Sequence, residues 1–165
     1  MKVYREMIEV TSGEIRPTFY QVTPQVKEIV EKSGVQNGIC VVYSHHTTCS
    51  VITQEDSFDR TYKDYEFLQQ DLLNVFESII PTTRMETQYM HPGPKLTEFA
   101  DSIGEGKPLT MNTDAHLRSS ILGRSESIVI VNGKLDMGQF GHVYFIDFDQ
   151  TRVRTRQIQV QIIGE

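Results

Sequence analysis

The cleanest pattern in the chain lies near its C-terminus. From Val153 to Ile163 apolar and polar positions alternate, with Ile158, Val160 and Ile162 on one side and Gln157, Gln159 and Gln161 on the other. A period of two marks a half-buried β-strand, because successive side chains leave an extended backbone on opposite faces. Two more strands precede it: Ser127 to Val131, which runs into the hairpin dipeptide Asn132-Gly133, and Gly141 to Phe148. At the other end, Val3 to Val10 has a strand pattern, Thr11-Ser12-Gly13 supplies turn residues, and Glu14 to Val22 reads as the returning arm of a hairpin. Gly38 to Ser44 (GICVVYS) is nearly all apolar, which predicts a central strand covered on both faces.

Helical spacing fills the middle. Thr23 is placed to cap a helix with Pro24 at its first position, Val26, Ile29 and Val30 on one face, and Gly34 as its stop. Asp59 to Ile80 carries Tyr62, Tyr65, Leu68, Leu72, Val75, Phe76 and Ile79 at helical intervals, which predicts one long amphipathic helix closed by Pro81. A short helix is expected from Asp114 to Leu122, capped by Thr113 or Asp114, and Lys95 to Ser102 is a candidate for another. The rest of 82–113, with His91-Pro92-Gly93-Pro94 and a Gly104/Gly106 loop, is irregular, and long irregular segments tend to carry function. Strands at both ends with two or three helices between them predict an α+β fold with a largely antiparallel sheet.

Composition narrows the class. A chain of 165 residues suits one domain, 1–165. A domain of that size buries roughly 70% of its unfolded surface and needs no disulfide or metal to fold. Cys40 and Cys49 sit in apolar strand segments without zinc-knuckle spacing, so buried thiols in a reducing, cytoplasmic compartment are expected. The opening MKVYREMIEV is charged throughout and does not read as a signal peptide, and no run of about 18 apolar residues predicts a membrane span. A formal net charge of -6 argues against nucleic acid or anionic membrane as partner, while leaving room for a small anionic substrate at a local cluster of cations.

Three stretches hold candidate chemistry. His45-His46-Thr47-Thr48 ends the GICVVYS strand, where adjacent side chains point apart, so one histidine rather than both would face a site. On a helix from Asp114, His116, Ser119 and Ser120 share a face, the opening N–H groups attract an anion, and Arg118 and Arg124 add charge. The ordinary alternative is satisfied core or surface histidines and a capped helix with solvated hydroxyls. In Met137-Gly138-Gln139-Phe140-Gly141-His142 the glycines suggest a bulge or a close backbone approach. Asp147, inside an apolar run, and Glu55-Asp56, at a strand end, face either solvent or a pocket. P-loop, dinucleotide, nucleophile-elbow and HExxH motifs are missing, so no organic cofactor is implied. Imidazoles from separate elements with nearby carboxylates would suit a zinc ion with an open position.

Taken in order, these blocks resemble the YjbQ family, described as secondary thiamine-phosphate synthase-like. His46-Thr47-Thr48-Cys49-Ser50 is similar to its His-Thr-Ser/Thr-Ala/Cys-Ser, and Gln54-Glu55-Asp56 to its Asn-Glu-Asn. His116-Leu117-Arg118-Ser119-Ser120-Ile121-Leu122-Gly123 resembles its second histidine block, Gly133-Lys134-Leu135-Asp136-Met137-Gly138 its Gly-Arg-Leu/Ile-x-x-Gly, and Gly164-Glu165 its C-terminus. The resemblance spans essentially the whole chain. It implies a β-sandwich-like α+β core, a homotrimer, and a pocket built from His46, Glu55, His116, Ser119 and Asp147. In some members that pocket suits a divalent metal. The activity it implies, joining a pyrimidine diphosphate to a thiazole phosphate, is held to be secondary in the family. Carried onto this chain, His46 and His116 act as acid, base or ligands of zinc or magnesium, with His142 a further ligand. Glu55 and Asp147 serve as catalytic or orienting carboxylates, and Thr47, Arg118, Ser119 and Ser120 contact the anionic substrate. Two departures are expected near the pocket, where they would alter the substrate or add a ligand. The family's Gly-Thr-Trp-Gln is Gly138-Gln139-Phe140-Gly141 here, and segment 82–113 is long and brings His91. The rival expectation is a trimeric metal- or ligand-binding module without catalysis.

Overall fold

In a computed structural model, which describes residues 1–13 and 15–165, the chain runs β1 (Lys2–Ser12), β2 (Thr18–Gln21), α1 (Thr23–Ser33), β3 (Gly38–Ser44), β4 (Cys49–Glu55), α2 (Phe67–Ile79) and α3 (Pro94–Ser102). A 3-10 turn (Lys107–Thr110), α4 (Thr113–Leu122), β5 (Ser125–Val131), β6 (Lys134–Leu135), β7 (Gly141–Asp147) and β8 (Arg154–Gly164) follow. The strands form a five-stranded sheet of order β1-β8-β3-β5-β6 and a three-stranded sheet of order β2-β7-β4. Every pairing is antiparallel, so the fold is α+β as the pattern predicts, with four helices where two or three were expected.

The two sheets face each other and curl into a half-barrel. Ile158, Val160 and Ile162 of β8, fully buried, pack with Cys40 and Val42 of β3 against Val51 of β4 and Val143 and Phe145 of β7. Val26, Ile29 and Val30 of α1 join this core. The other side of the small sheet presents Ile52, Tyr144, Ile146 and Phe148 to Phe76 of α2 and Ala115 of α4. The strand covered on both faces is therefore β7. Ile39 of β3 is 52% exposed, because the outer face of the large sheet carries no further layer. A continuous apolar run cannot distinguish these two situations.

Two further expectations are corrected. The N-terminal strands are no hairpin: β1 pairs with β8 along its full length, from Lys2↔Gly164 to Ser12↔Arg154, while β2 crosses to β7 in the other sheet. Turn residues end a strand in either case, and only the long-range ladder decides its partner. The helix expected from Asp59 begins at Phe67, because Glu66 stops it. The Glu66 side chain accepts from the third helical N–H, Gln69 reciprocates in a capping box, and the Tyr144 hydroxyl donates to Glu66 at 2.9 Å. Thr23 does not cap α1; its hydroxyl accepts the Val143 N–H at 2.9 Å and ties the helix start to β7. Gly34 ends α1 at φ 65°, and Asn132 and Gly133 turn β5 into β6 at φ 51° and 74°, as their residue types require. Among the described residues no helix is long and apolar enough to cross a membrane, and both cysteines are free and buried.

Candidate functional site

Where β7 ends and β8 begins, the chain passes from one sheet to the other, and the inward face of β8 changes character. Going backward along the face, Ile162, Val160 and Ile158 give way to Arg156, Arg154 and then Arg152. The three arginines line a cavity of about 320 Å³ together with His45, His46, Thr47 and Thr48 after β3, Asn112 and His116 at the start of α4, and His91, Glu105 and Asp149.

The floor is an ionic cluster out of solvent. Arg156 donates to both oxygens of Asp147, through Nε at 2.6 Å and Nη2 at 3.1 Å, and reaches the Thr48 hydroxyl at 3.2 Å. Asp149 lies 3.6 Å away and takes bonds from the Thr151 N–H and hydroxyl and from the Asn112 side chain. Asp147 also accepts the Asp149 N–H. Asp147 and Arg156 are 0% and 3% exposed, so each charge has fixed partners in place of water.

Three imidazoles stand above this floor. The Gln157 N–H donates to His46 Nε2 at 3.1 Å, so that lone pair is occupied and the neutral ring carries its proton on Nδ1. Burial, then the Arg156 charge, lowers the pKa of His46 below 6.5. The Thr113 hydroxyl donates to the His91 carbonyl, so His91 Nδ1, 2.9 Å from the same oxygen, is the donor in that contact and Nε2 carries the lone pair. His91 and His116 meet edge to face with centroids 5.4 Å apart. Burial lowers both, and the nearby His91 lowers His116 further, against an opposing pull from the Thr47 backbone. His45 sits at the rim, bonded to Gln159.

Of the expected site residues, His46, Thr47 and His116 line the cavity. Asp147 lies beneath it and holds Arg156. Glu55 and His142 are at the far end of the small sheet, where Gln54 pairs with His142 and Glu55 with Gly141. Six residues of strand separate that end from the Cys49↔Asp147 pair, about 20 Å. The Gly138-Gln139-Phe140-Gly141 departure lies there too, away from the cavity; Gly141 packs its backbone against the Met137 carbonyl, where a Cβ would stand 2.4 Å from the oxygen. The helix face containing Ser119 and Ser120 does not open into the cavity. Ser119 donates to the Cys49 carbonyl, and Ser120 to that of His116. Arg118 is 2% exposed and braces the end of α2 through the Ile80 carbonyl and Glu77. The start of α4 already has its anion: Asp114 in the first turn accepts the Thr83 N–H and hydroxyl. The sequence reading missed Arg152, Arg154, Arg156, Asp149 and Glu105. Its available signal was the Arg-x-Arg-x-Arg alternation over 152–156, which an extended backbone puts on one side.

Among the described residues no group of three or more His, Cys, Asp or Glu side chains is arranged to hold a metal ion. His46 Nε2, His91 Nδ1 and both Asp149 oxygens are already engaged.

Replacing Arg156 with alanine leaves Asp147 buried and uncompensated, and is expected to cost about 3–5 kcal/mol in urea unfolding; a loss below about 1 kcal/mol would show that the pair is not sealed from water. The histidines give a second expectation. Their folded pKa values lie below 6.5, so the unfolded chain binds protons the native one resists. Stability is then full above that value and falls as pH drops through the lowered folded values. The urea midpoint should decline from about pH 7 to about pH 5, and His91→Gln with His116→Gln should shallow the decline. A flat profile would contradict the buried placement.

A family model described as UPF0047 protein YjbQ-like matches residues 6–165. A UPF0047 protein from Methanothermobacter thermautotrophicus is 26% identical over 165 residues, covering 100% of this chain and 95% of that protein. A Synechocystis UPF0047 protein is 30% identical over 148 residues, 90% of this chain and 84% of its own. Among solved structures, a YbjQ-like protein of unknown function from Sulfolobus solfataricus superposes with a TM-score of 0.73 at 25% identity, covering 99% of this chain and 100% of that one. An uncharacterised YjbQ/UPF0047 protein from Clostridium acetobutylicum superposes with a TM-score of 0.67 at 27% identity, covering 94% and 99%. The match over nearly the full length places this chain in the YjbQ/UPF0047 family.

Proposed function

We propose that the cavity is the active site of a small-molecule enzyme acting on a phosphorylated or otherwise anionic substrate. One observation carries this reading: the arginine face of β8 stands across a single cavity from imidazoles that burial keeps neutral near pH 7. Guanidinium groups match phosphate oxygens in a fork and stabilise charge that develops on them. A neutral imidazole with a free lone pair takes a proton from a nucleophile and, as the imidazolium so formed, returns it to the leaving group. His91 Nε2 has that lone pair, and His116 touches His91. His46, with its acceptor nitrogen occupied, serves as an Nδ1–H donor that positions the ligand.

The named version is a transfer of the secondary thiamine-phosphate synthase type. The space at the site supports it. At about 320 Å³ the cavity is at the small end for ligand sites and suits one phosphorylated molecule. A neighbouring cavity of about 620 Å³ along segment 83–94 shares His91 and offers room for a second. A divalent ion would enter with a diphosphate, as magnesium does, without a protein cage. The buried free cysteines suit a cytoplasmic setting.

A second reading, a trimeric binding module without catalysis, draws on the outer face of the large sheet. Val3, Ile163, Ile39 and Val129 lie in register across four strands, each at least 37% exposed. An apolar row of this kind on an uncovered sheet fits a second copy of the chain.

His116→Gln and His91→Gln are expected to lower turnover roughly 10²- to 10⁴-fold, with phosphate affinity kept within about twofold. The assays are the pyrimidine diphosphate and thiazole phosphate transfer and hydrolysis of phosphomonoesters. Full activity in His116→Gln would remove the acid–base assignment, and phosphate binding by the parent chain with no turnover in either assay would favour the module. For assembly, light scattering should give about three times the 18.9 kDa chain mass, and Ile39→Glu should reduce it to one. A monomeric parent chain would end the trimer.

A further inference from the structure

Within the cavity, one side chain already behaves as a ligand. Glu105 reaches in from the loop after α3 and sets its carboxylate between two arginines, with Oε2 2.8 Å from Arg152 Nη2 and Oε1 3.8 Å from Arg154 Nη2. The second distance is an ion pair without a hydrogen bond. The fit is incomplete in a specific way. Among the described residues, Arg152 Nε and Arg154 Nε are buried N–H donors with no acceptor. A buried donor without a partner is costly, and such groups are rare unless something else comes to fill them. Two guanidinium groups present more donors than one carboxylate has oxygens in reach. A phosphoryl group brings three terminal oxygens and a charge near -2.

The carrier of Glu105 can move. Gly104 and Gly106 flank it at φ 75° and 54°, a region glycine enters freely, and the Glu105 N–H bond to the Ala100 carbonyl anchors the loop to the end of α3. Glu105 is also 36% exposed, so its carboxylate has water to go to.

Resting on the anionic-substrate reading above, we propose that Arg152 and Arg154 form a phosphoryl-binding subsite and that Glu105 is its tethered stand-in, displaced when a phosphorylated ligand binds. The ligand's phosphoryl group takes over both arginines, including the two idle Nε–H groups, and the 103–107 loop is released into solvent. The subsite selects a phosphoryl group over a carboxylate, because a carboxylate repeats the incomplete fit Glu105 already makes. Glu105 therefore sets the threshold for occupancy: apparent affinity is reduced by the fraction of molecules in which it is seated.

Calorimetric titration of inorganic phosphate and of acetate into the full chain tests this, with hydrogen exchange of the loop as an independent readout. Glu105→Gln is expected to bind phosphate roughly tenfold more tightly than the parent, as if nine-tenths of parent molecules were plugged. Arg152→Gln and Arg154→Gln should each lose most of that affinity, and acetate should bind weakly throughout. Saturating phosphate should speed amide exchange across 103–107 in the parent chain. Tighter phosphate without faster loop exchange overturns the displacement, leaving only a charge effect. If the parent binds phosphate and Glu105→Gln binds no better, the subsite is wrong while the anionic-substrate reading survives. If no variant binds phosphate with its fold intact by circular dichroism, both fall together.

Discussion

The pair formed by Asp147 and Arg156 is the contact on which the cavity depends. Asp147 is the last residue of β7, in the small sheet; Arg156 lies in the first turn of pleat of β8, in the large one. Their two hydrogen bonds therefore join the sheets where the chain crosses from β7 to β8. A buried ion pair contributes little net stability, since desolvation consumes most of the attraction. What it supplies is geometry. With Arg156 fixed against Asp147 and Asp149, the period of the strand places Arg154 on the same side, and Arg152, in the bend before β8, lines the same cavity as His46 and His116.

That arrangement reconciles an acidic chain with a site for anions. The formal net charge of -6 is spread over the surface, whereas the cavity gathers three arginines. Each has a carboxylate near it, Asp147 and Asp149 for Arg156 and Glu105 for the outer two. The inner carboxylates are buried and held by several donors, so they are part of the scaffold. Glu105 is held on a glycine-flanked loop and is exchangeable. Burial disfavours the charged form of all three imidazoles; the Arg156 charge adds to this at His46, and the nearby His91 at His116.

What the sequence made legible was local. Gly34 and Asn132-Gly133 act through their own backbone angles, and β8 through its own alternation, so no distant residue was needed to read them. The start of α2 was not local, because Glu66 stops that helix with help from Tyr144, 78 positions away. Nor was the partner of β1, whose alternation is compatible with any neighbour of matching pattern. At the site, His46 and His116 stood out through the resemblance of their blocks to a family. Period two alone would have separated Glu55 and His142 from them only if the β4–β7 register had been known. The arginine row was readable, but it shares a strand with the glutamine row, and nothing in the alternation says which face looks inward beyond the last isoleucine. Isoleucine at 158 settles that face only once the strand is known to continue without a bulge to Arg154.

The cavity walls then divide by how they are attached. Asp147, Arg154 and Arg156 belong to the two sheets, and Asp149 and Arg152 to the short connection between β7 and β8. The remaining wall, with His91 and Glu105, comes from segment 82–113, which is fastened to α4 through the Thr113 contact with His91 and the Asp114 contact with Thr83. Those two attachments sit at the start of α4, within three residues of His116, so the helix that presents one imidazole also holds the segment presenting the other. The same segment reaches the arginines only through Glu105, which pairs with Arg152 and Arg154. On the anionic-substrate proposal, ligand charge falls to the arginines and ligand shape to the attached segment, and a change of substrate within this architecture has its simplest route through residues 82–113 rather than through either sheet.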